Sequence, residues 1–404
     1  MNRSSSRQFS TDAAPWKTTL YVMFAAQFIS IVGFAFVLPF IPFYVRELGV
    51  TDERLVPVWA GILGFGASIT MAIFSPMWGW LADRYGRKIM VERAMFGGAI
   101  LTIAMGMVGN IYQLLFLRLL AGATQGTSAA SISMVSTVVP KHKLGFSLGL
   151  MQVAVFLGMT LGPGIGGVLA DSIGYRHTFI AGGLLLLLGG SLVAFGAKEK
   201  FAKPSNDLLK ANGSLSTLLA YPGFKTMLFI FFLFNFSLYI VTPIFPLFVE
   251  TVSHVIKEKA ASAAGMLLAI SGGASAIAAG VVGYLSDTKD YKKVLVVTLL
   301  LTAFTCFLQG IAQSIGQLMI IRIFYGLGTG GIMPTLNALV GKIIPRDSYG
   351  KAYGLTSSMT CVGLAFGPLT GGILASFAGY RWLFFLLGAL LFGIIPVILT
   401  IRHR

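Results

Sequence analysis

Two arginines stand inside strongly apolar stretches of this sequence, Arg118 and Arg322. A charge in the interior of a membrane is costly, so both are candidate functional charges by default. Gln125 follows Arg118 by seven residues and therefore lies on the same stripe of a helix. Each arginine lies about one and a half turns from the start of its stretch, so snorkelling or structural pairing is the alternative to a functional role.

Proton exchange across a membrane usually needs a carboxylate whose desolvation brings its pKa toward the working pH. None of the 14 acidic residues lies in the middle of an apolar stretch. Three acidic residues end apolar stretches on one predicted side of the membrane: Glu47, Asp171 and Glu250. We expect one of these three to exchange its proton against Arg118. Coupling through Asp83, on the other side, and a carrier without proton coupling are the alternatives.

Polar and aromatic side chains follow helical spacing in the first and seventh apolar stretches. Such side chains suit a mostly apolar cavity with a few polar groups and an affinity for planar or cationic compounds. Because no carboxylate lies mid-stretch, a neutral amphiphile or an organic anion is also a compatible cargo. The residues expected to line the substrate cavity are Gln27, Phe34, Gln125, Asn235, Tyr239, Arg322 and Tyr325.

The composition excludes an ordinary soluble protein, because 56% of the residues are hydrophobic, only 11% are charged and the mean hydropathy is +0.82. Soluble domains carry about 25% charged residues. The net charge of +16 does not indicate nucleic-acid binding, since most lysines and arginines fall in loops on one predicted side of a membrane. That bias predicts a multi-pass protein of a bacterial-type inner membrane.

A bilayer is crossed by about 20 apolar residues in a helix, and the sequence has twelve such stretches. They lie near 18–45, 58–82, 94–110, 112–139, 144–170, 177–197, 224–249, 260–285, 293–313, 315–341, 352–377 and 380–401. The even number places both termini on one side, and the basic loops identify that side as the cytoplasm. The predicted fold class is therefore an all-α membrane protein with twelve transmembrane helices.

Several short patterns occur twice, 204 or 205 positions apart. Arg118-x-x-x-Gly122-x-x-x-Gly126 returns from position 322, and the glycine-rich run 158–167 returns at 363–372. An ordered series at one offset predicts two pseudo-symmetric six-helix bundles around a midplane site, as in many secondary transporters. We expect bundles at 1–197 and 224–404, joined by a polar cytoplasmic linker at 198–223.

The loop after the second apolar stretch resembles the signature of the major facilitator superfamily. Its matching residues are Gly79, Asp83, Arg84, Gly86, Arg87 and Lys88. The resemblance implies that these residues form a latch on the cytoplasmic side of the outward-open state. A merely basic loop that sets topology is the alternative. The second copy keeps Asp287 but lacks the glycine and arginine pattern, so we expect its latch to be weaker.

The fifth stretch resembles the antiporter signature of exporters in this superfamily. The residues that carry the likeness are Gly158, Gly162, Pro163, Gly166 and Gly167. Proline kinks a helix, and glycines let helices approach closely. The segment 38–44 in the first stretch is similar to the twelve-span drug–proton antiporter branch, which includes multidrug efflux transporters. The span-4 arginine of such antiporters is tied to proton coupling, which implies that role for Arg118.

These features predict a secondary active exporter of small amphiphilic compounds that works by proton antiport and alternating access. An exporter or facilitator of one metabolite, such as a siderophore, lipid, sugar or organic anion, is the alternative. An enzyme is not expected, because all four histidines fall in loops or at the terminus and no phosphate-binding loop occurs. The expected partners are a small-molecule substrate, protons and the lipid bilayer. We expect a monomer, without nucleic acid, cofactor or metal.

Overall fold

The computed structural model describes residues 15–140, 143–199, 218–219, 221, 223–253, 259–288, 290–345 and 349–399. Regular structure within these ranges is helical and includes no strand. The predicted linker at 198–223 falls largely outside the described residues.

Within the described residues, the first half of the chain forms eight helices. They are α1 (Pro15–Ala35), α2 (Ile41–Glu47), α3 (Leu55–Tyr85), α4 (Arg87–Gly106), α5 (Ile111–Thr124), α6 (Thr127–Val138), α7 (Leu144–Ile173) and α8 (Tyr175–Gly196). The second half forms seven. They are α9 (Phe224–Val241), α10 (Phe245–Ser253), α11 (Ala260–Thr288), α12 (Tyr291–Ile311), α13 (Ile315–Ile343), α14 (Tyr349–Ala378) and α15 (Tyr380–Leu399).

The helices account for all twelve predicted spans. Within the described part of the chain, 11 helices are long and apolar enough to cross a bilayer. The fourth span is instead divided between α5 and α6, and short turns separate α1 from α2 and α9 from α10. We number the spans 1–12 in chain order, so that span 1 is α1 with α2, span 4 is α5 with α6, and span 7 is α9 with α10.

The loop between spans 2 and 3 is shorter than the sequence suggested. We expected span 3 to begin near position 94, but α4 begins at Arg87, directly after Gly86. Gly86 has φ +103°, a conformation that glycine adopts without steric cost and that reverses the chain in one residue. Among the basic residues of the predicted loop, Arg84 therefore lies in the last turn of α3, and Arg87 and Lys88 lie in the first turn of α4.

The two halves pack with the same pattern. In the first half span 1 packs against spans 5 and 6, span 2 against span 4, and span 3 against spans 4 and 6. In the second half span 7 packs against spans 11 and 12, span 8 against span 10, and span 9 against spans 10 and 12. Spans 2 and 11, and spans 5 and 8, join the halves in a pair of equivalent contacts. This is the predicted arrangement of two pseudo-symmetric six-helix bundles.

We call the end of the molecule at which α1 begins and α15 ends the terminal face, and the other end the distal face. From the distal face to the middle of the helices, the bundles touch through backbone. Gly61 of α3 packs on Pro368 of α14, Gly167 of α7 packs on Ala261, and a Cβ on Gly272 would lie 3.0 Å from Thr160. An apolar cluster at the distal face contains Leu247 of α10 among residues of the first bundle. The distal face is therefore closed.

Toward the terminal face the same helices separate. Five described glycines on the terminal halves of spans 2, 5, 8 and 11 have no described atom within 4 Å of the place where a Cβ would stand. They are Gly79, Gly145, Gly149, Gly280 and Gly354. Since the distal halves of these helices are in backbone contact, the bundles enclose a crevice that opens at the terminal face.

Candidate transport cavity and gates

A cavity of about 320 Å³ lies mainly within the first bundle. Spans 1, 2, 3, 4 and 6 line it, and Cys361 of α14 adds the second bundle. Most of its wall is apolar, with an arginine, a glutamine and several hydroxyls. The lining residues include Phe34, Met71, Met105, Arg118, Gln125, Gly126, Thr127, Ser128 and Leu186. Such a surface suits an amphiphilic compound.

Arg118 places an uncompensated charge in this cavity. Its Nε and Nη2 atoms are buried and have no hydrogen-bond partner among the described residues. None of the described side chains that line the cavity is acidic. The carboxylates that we expected to exchange protons against it have other partners: Glu47 pairs with Arg176, Glu250 with Arg46, and Asp171 with α11. The structure thus does not bring these groups together with Arg118.

Two of the other cavity residues predicted in the first bundle line the cavity, and a third supports it. Phe34 and Gln125 contribute to the wall. Gln27 is buried, and its Nε2 donates a hydrogen bond of 2.7 Å to Oγ of Ser128, a lining residue. The Oε1 atom of Gln27 is buried without a partner among the described residues. Gln27 therefore joins span 1 to the beginning of α6.

The residues predicted in the second bundle lie elsewhere. Asn235 is buried, and its Nδ2 donates to the carbonyl of Phe231 at 2.8 Å. This face of α9 packs on span 11, where Gly363 and Gly367 allow Asn235 and Tyr239 to approach closely. None of the four predicted residues of this bundle belongs to the lining of the cavity described above. Their role in substrate binding remains a prediction.

Arg322 has a different environment from Arg118, although they are equivalent in the repeat. Its guanidinium stacks over the ring of Phe245 with 3.6 Å to the centroid, and the ring of Tyr325 lies 5.0 Å away. A cation over an aromatic face is stabilised electrostatically. Arg322 is therefore partly compensated within its own bundle, whereas Arg118 faces a cavity.

Charged contacts lock the two bundles together at the distal face, and we call this group the distal gate. Arg46 of α2 donates two hydrogen bonds to the Glu250 carboxylate of α10, at 2.8 and 3.0 Å, and also pairs with Glu53 at 2.7 Å. Asp171 of α7 accepts a hydrogen bond of 2.6 Å from the backbone N–H of Ser262 in the first turn of α11. Sequence reasoning missed Arg46.

The predicted latch is held by its own bundle in this structure. Glu199 accepts hydrogen bonds from the backbone N–H groups of Arg87 and Lys88, at 3.0 and 2.8 Å. Nζ of Lys88 donates to the carbonyl of Ala194 at 2.8 Å. Arg84 is exposed and stacks on the ring of Trp80. The side chain of Asp83 lies outside the described residues. Sequence reasoning also missed Glu199, an acidic residue where span 6 ends.

The glycine-rich motif of span 5 has two packing faces. Gly158, Gly162 and Gly166 lie against Ile31, Ala35 and Phe36 of span 1, inside the bundle. Gly167 instead contacts the Ala261 backbone of the other bundle. Pro163 lies in the interior of α7, and its carbonyl packs on Gly265. The motif therefore joins span 1 and the second bundle to a single helix.

Comparisons with known proteins agree with this geometry. The chain matches the family model of the Major Facilitator Superfamily over residues 23–287 and 252–404. It is 33% identical over 374 residues to the multi-drug resistance efflux pump PmrA of Streptococcus pneumoniae, with 92% of each chain covered. It is 31% identical over 391 residues to the multidrug resistance protein MdtG of Escherichia coli, with 96% of each chain covered.

Solved structures share the fold. A bacterial homologue of the human lysosomal transporter Spinster, in an inward-facing and occupied conformation, matches with a TM-score of 0.79 at 14% identity, over 96% of this chain and 97% of that one. The human organic anion transporter MFSD10 (TETRAN) matches with a TM-score of 0.69 at 17% identity, over 95% of this chain and 99% of that one. At these identities the likeness concerns the fold.

Proposed function

The chain belongs to the major facilitator superfamily, and from this membership we propose that it is a secondary active exporter of small amphiphilic compounds, driven by protons. It is a multi-pass membrane transporter, and the relatives named above are multidrug efflux proteins. The proposal extends their export function to this chain. It adds a mechanism, alternating access, for which the packing of the two bundles provides the support.

One observation carries the mechanism. The bundles meet in backbone contact over their distal halves and leave open space between the same helices at the terminal face. Close contact on one side and a crevice on the other is what one state of a rocking transporter requires. The small residues along spans 2, 5, 8 and 11 permit both this contact and its release.

We assign the terminal face to the cytoplasm of a bacterial-type inner membrane. Lysines and arginines are concentrated in segments at this face, among them the start of α4. With this orientation the structure is the inward-open state, in which the cavity receives cargo from the cytoplasm or the inner leaflet. Closure of the terminal face and opening of the distal gate then release it outside.

Proton antiport is the proposed energy source, and the distal gate limits which carboxylates can carry the proton. Glu250 and Asp171 contact the other bundle through carboxylate oxygens. Protonation weakens such charge-assisted contacts, so a proton on either residue opposes closure of the distal face. In the proposed cycle, the protein takes up its proton in the outward-open state and carries it back to the inward-open state. This return requires closure of the distal face. Glu47, whose partner Arg176 lies in the same bundle, and Asp83 are therefore the better candidates for the carried proton.

Proteoliposomes test the function directly. Purified protein, reconstituted with an imposed pH gradient, is expected to move an amphiphilic dye against its gradient, and a protonophore is expected to stop the movement. Dye movement that never depends on the pH gradient would contradict proton antiport. Absence of net transport across a panel of cationic, neutral and anionic amphiphiles would contradict the exporter proposal.

Single neutralisations test the carboxylates. Glu250→Gln and Asp171→Asn are expected to keep transport dependent on the pH gradient, whereas Glu47→Gln or Asp83→Asn is expected to abolish that dependence. If all four variants keep the dependence, neither of the two candidates is the proton carrier.

A further inference from the structure

Span 4 is broken inside the cavity. The helix α5 ends at Thr124, and α6 begins at Thr127, after Gly126 with φ +134°. Residues 125–128 all line the cavity. The equivalent span 10 has the same glycine spacing, yet α13 runs without interruption through Thr329 and Gly330. The break is thus a local feature of the first bundle, where a helix begins near the middle of the membrane.

The first turn of α6 gives this end of the cavity a positive character. The first N–H groups of a helix lack acceptors within the helix, and the helix dipole adds a partial positive charge there. Gly126, at the N-cap, has no side chain to accept from these groups. The Ser128 hydroxyl accepts a hydrogen bond from Gln27. Transporters use such half-helix N-termini to bind the anionic groups of substrates.

Arg118 supplies an independent and stronger charge on the same side of the cavity. Its buried Nε and Nη2 atoms have no partner in the described part of the chain, and no acidic side chain is among the lining residues. A buried charge without a counter-ion is costly. Seven residues separate Arg118 from Gln125, which is about 11 Å along a helix. The two positive features therefore lie at separate points of one cavity.

We propose that this cavity binds elongated organic anions, with the acidic group on the Arg118 guanidinium. A carboxylate or sulfonate in the cavity can form charge-assisted hydrogen bonds with the guanidinium. The apolar body of the compound lies against Phe34, Met71 and Leu186, and a neutral acceptor oxygen reaches the first turn of α6. The cargo supplies the counter-ion that Arg118 lacks among the described residues. This inference rests on the proposed export function and narrows its cargo to anionic amphiphiles.

Equilibrium binding to the purified, full-length protein tests the inference. The protein is placed in nanodiscs of zwitterionic lipid at pH 8, and the fluorescence anisotropy of 1-pyrenebutyrate is compared with that of the matching carboxamide and amine. The carboxylate is expected to bind at least tenfold more tightly than the carboxamide, and the amine most weakly. Equal affinities for the three compounds in the wild-type protein would overturn the proposal.

Two variants locate the charge that selects the anion. Arg118→Gln is expected to weaken binding of the carboxylate at least tenfold and to leave the carboxamide unchanged, which also shows that the cavity remains folded. Arg381→Gln removes the same charge at the start of α15, outside the cavity lining, and is expected to keep the selectivity. Selectivity that survives Arg118→Gln, or that is lost equally in both variants, would contradict the assignment.

If Arg118→Gln does not fold, competition in the wild-type protein decides the question. Displacement of the bound dye by 1-naphthoate at a concentration tenfold or more below that of 1-naphthamide supports the site, and equal displacement overturns it. Different results would contradict the proposed export function and the proposed anion site. Transport of neutral amphiphiles without anion selectivity would remove only this inference, whereas anion binding without transport of any compound would remove the exporter.

Discussion

At the scale of single residues, the most consequential contact joins two positions that are equivalent in the repeat. Arg46 and Glu250 are 204 positions apart and carry opposite charges. Residues related by a pseudo-twofold axis meet when they lie near that axis, so equivalent positions with opposite charges can form an ion pair between bundles. The pair is partly buried, with 28% and 13% of the two side chains exposed. We expect it to contribute about 1–3 kcal/mol to closure of the distal face.

Glu250→Gln is therefore expected to shift the population toward the distally open state. A loss of about 1–3 kcal/mol changes an equilibrium by about 5- to 150-fold. The reporter is Leu247→Cys, a fully buried position at the distal face, in a background without Cys306 and Cys361. Its labelling by a membrane-impermeant maleimide is expected to accelerate severalfold or more. The control is Asp52→Asn, because the Asp52 carboxylate accepts its described hydrogen bond from the backbone N–H of Arg54, inside one bundle. Equal acceleration in both variants would contradict a gate between the bundles.

The arginines of spans 4 and 10 show that the sequence alone did not predict the environment of a single side chain. Arg118 and Arg322 occupy equivalent positions and were both predicted as functional charges. Sequence spacing indicates which residues share a helical face but not which residues pack against that face. The Phe245 ring stacks on the Arg322 guanidinium, although the buried Nε of Arg322 has no hydrogen-bond partner among the described residues. No described ring or acceptor pairs with the buried Nε and Nη2 atoms of Arg118. The pairing of Arg46 with Glu250, in contrast, could have been found by comparing charges at the repeat offset.

At the scale of secondary structure elements, nearly all helices were predictable, and their interruptions were not. The sequence predicted one helix over 112–139, but the chain breaks at Gln125 and Gly126. Gly330 has the same spacing from its arginine and remains helical, because the Ser275 backbone of span 8 packs directly on it. Glycine permits both conformations, so the neighbouring helix decides between them. The interruption of span 4 therefore depends on tertiary packing, which the sequence of the span alone does not specify.

Glu199 is expected to stabilise the beginning of α4. It accepts hydrogen bonds from two backbone N–H groups that have no acceptor within the helix. Removal of a capping side chain costs about 0.5–2 kcal/mol, so Glu199→Ala is expected to lower the thermal unfolding temperature in nanodiscs. Glu92→Ala serves as the control, since the contact of the Glu92 carboxylate among the described residues is a 3.7 Å pair with Lys88 one turn away. A larger loss of stability in the control would contradict the capping role.

Gly167 is expected to be required for distal closure. A Cβ at this position would collide with the Ala261 carbonyl group of the other bundle, so Gly167→Ala forces the bundles apart at the distal face. The Leu247→Cys reporter is then expected to label faster. Gly145→Ala lies on the same helix with no described atom within 4 Å of the new methyl group, and no change is expected. Unchanged labelling in Gly167→Ala would show that the contact does not limit opening.

At the scale of the whole molecule, the repeat predicted the architecture. Patterns at a constant offset implied equivalent halves, and the two bundles pack with matching helix pairs and meet through spans 2 and 11 and spans 5 and 8. Under the proposed alternating access, the open face of the molecule is set by a small free-energy difference between two packings of the same helices. No single stretch of sequence encodes that balance. The closed distal face and the open terminal face therefore required the structure.

Distances between spin labels test alternating access most directly. One pair, Gly149→Cys with Gly280→Cys, reports on the open space at the terminal face, and a second pair, Thr51→Cys with Thr251→Cys, reports on the exposed rim of the distal face. Electron–electron double resonance is measured in nanodiscs, without cargo and with a saturating transported compound. The rocking of two bundles predicts that cargo shortens the terminal distance while it lengthens the distal one. Distances that change in the same direction, or a terminal pair that never approaches, would contradict it.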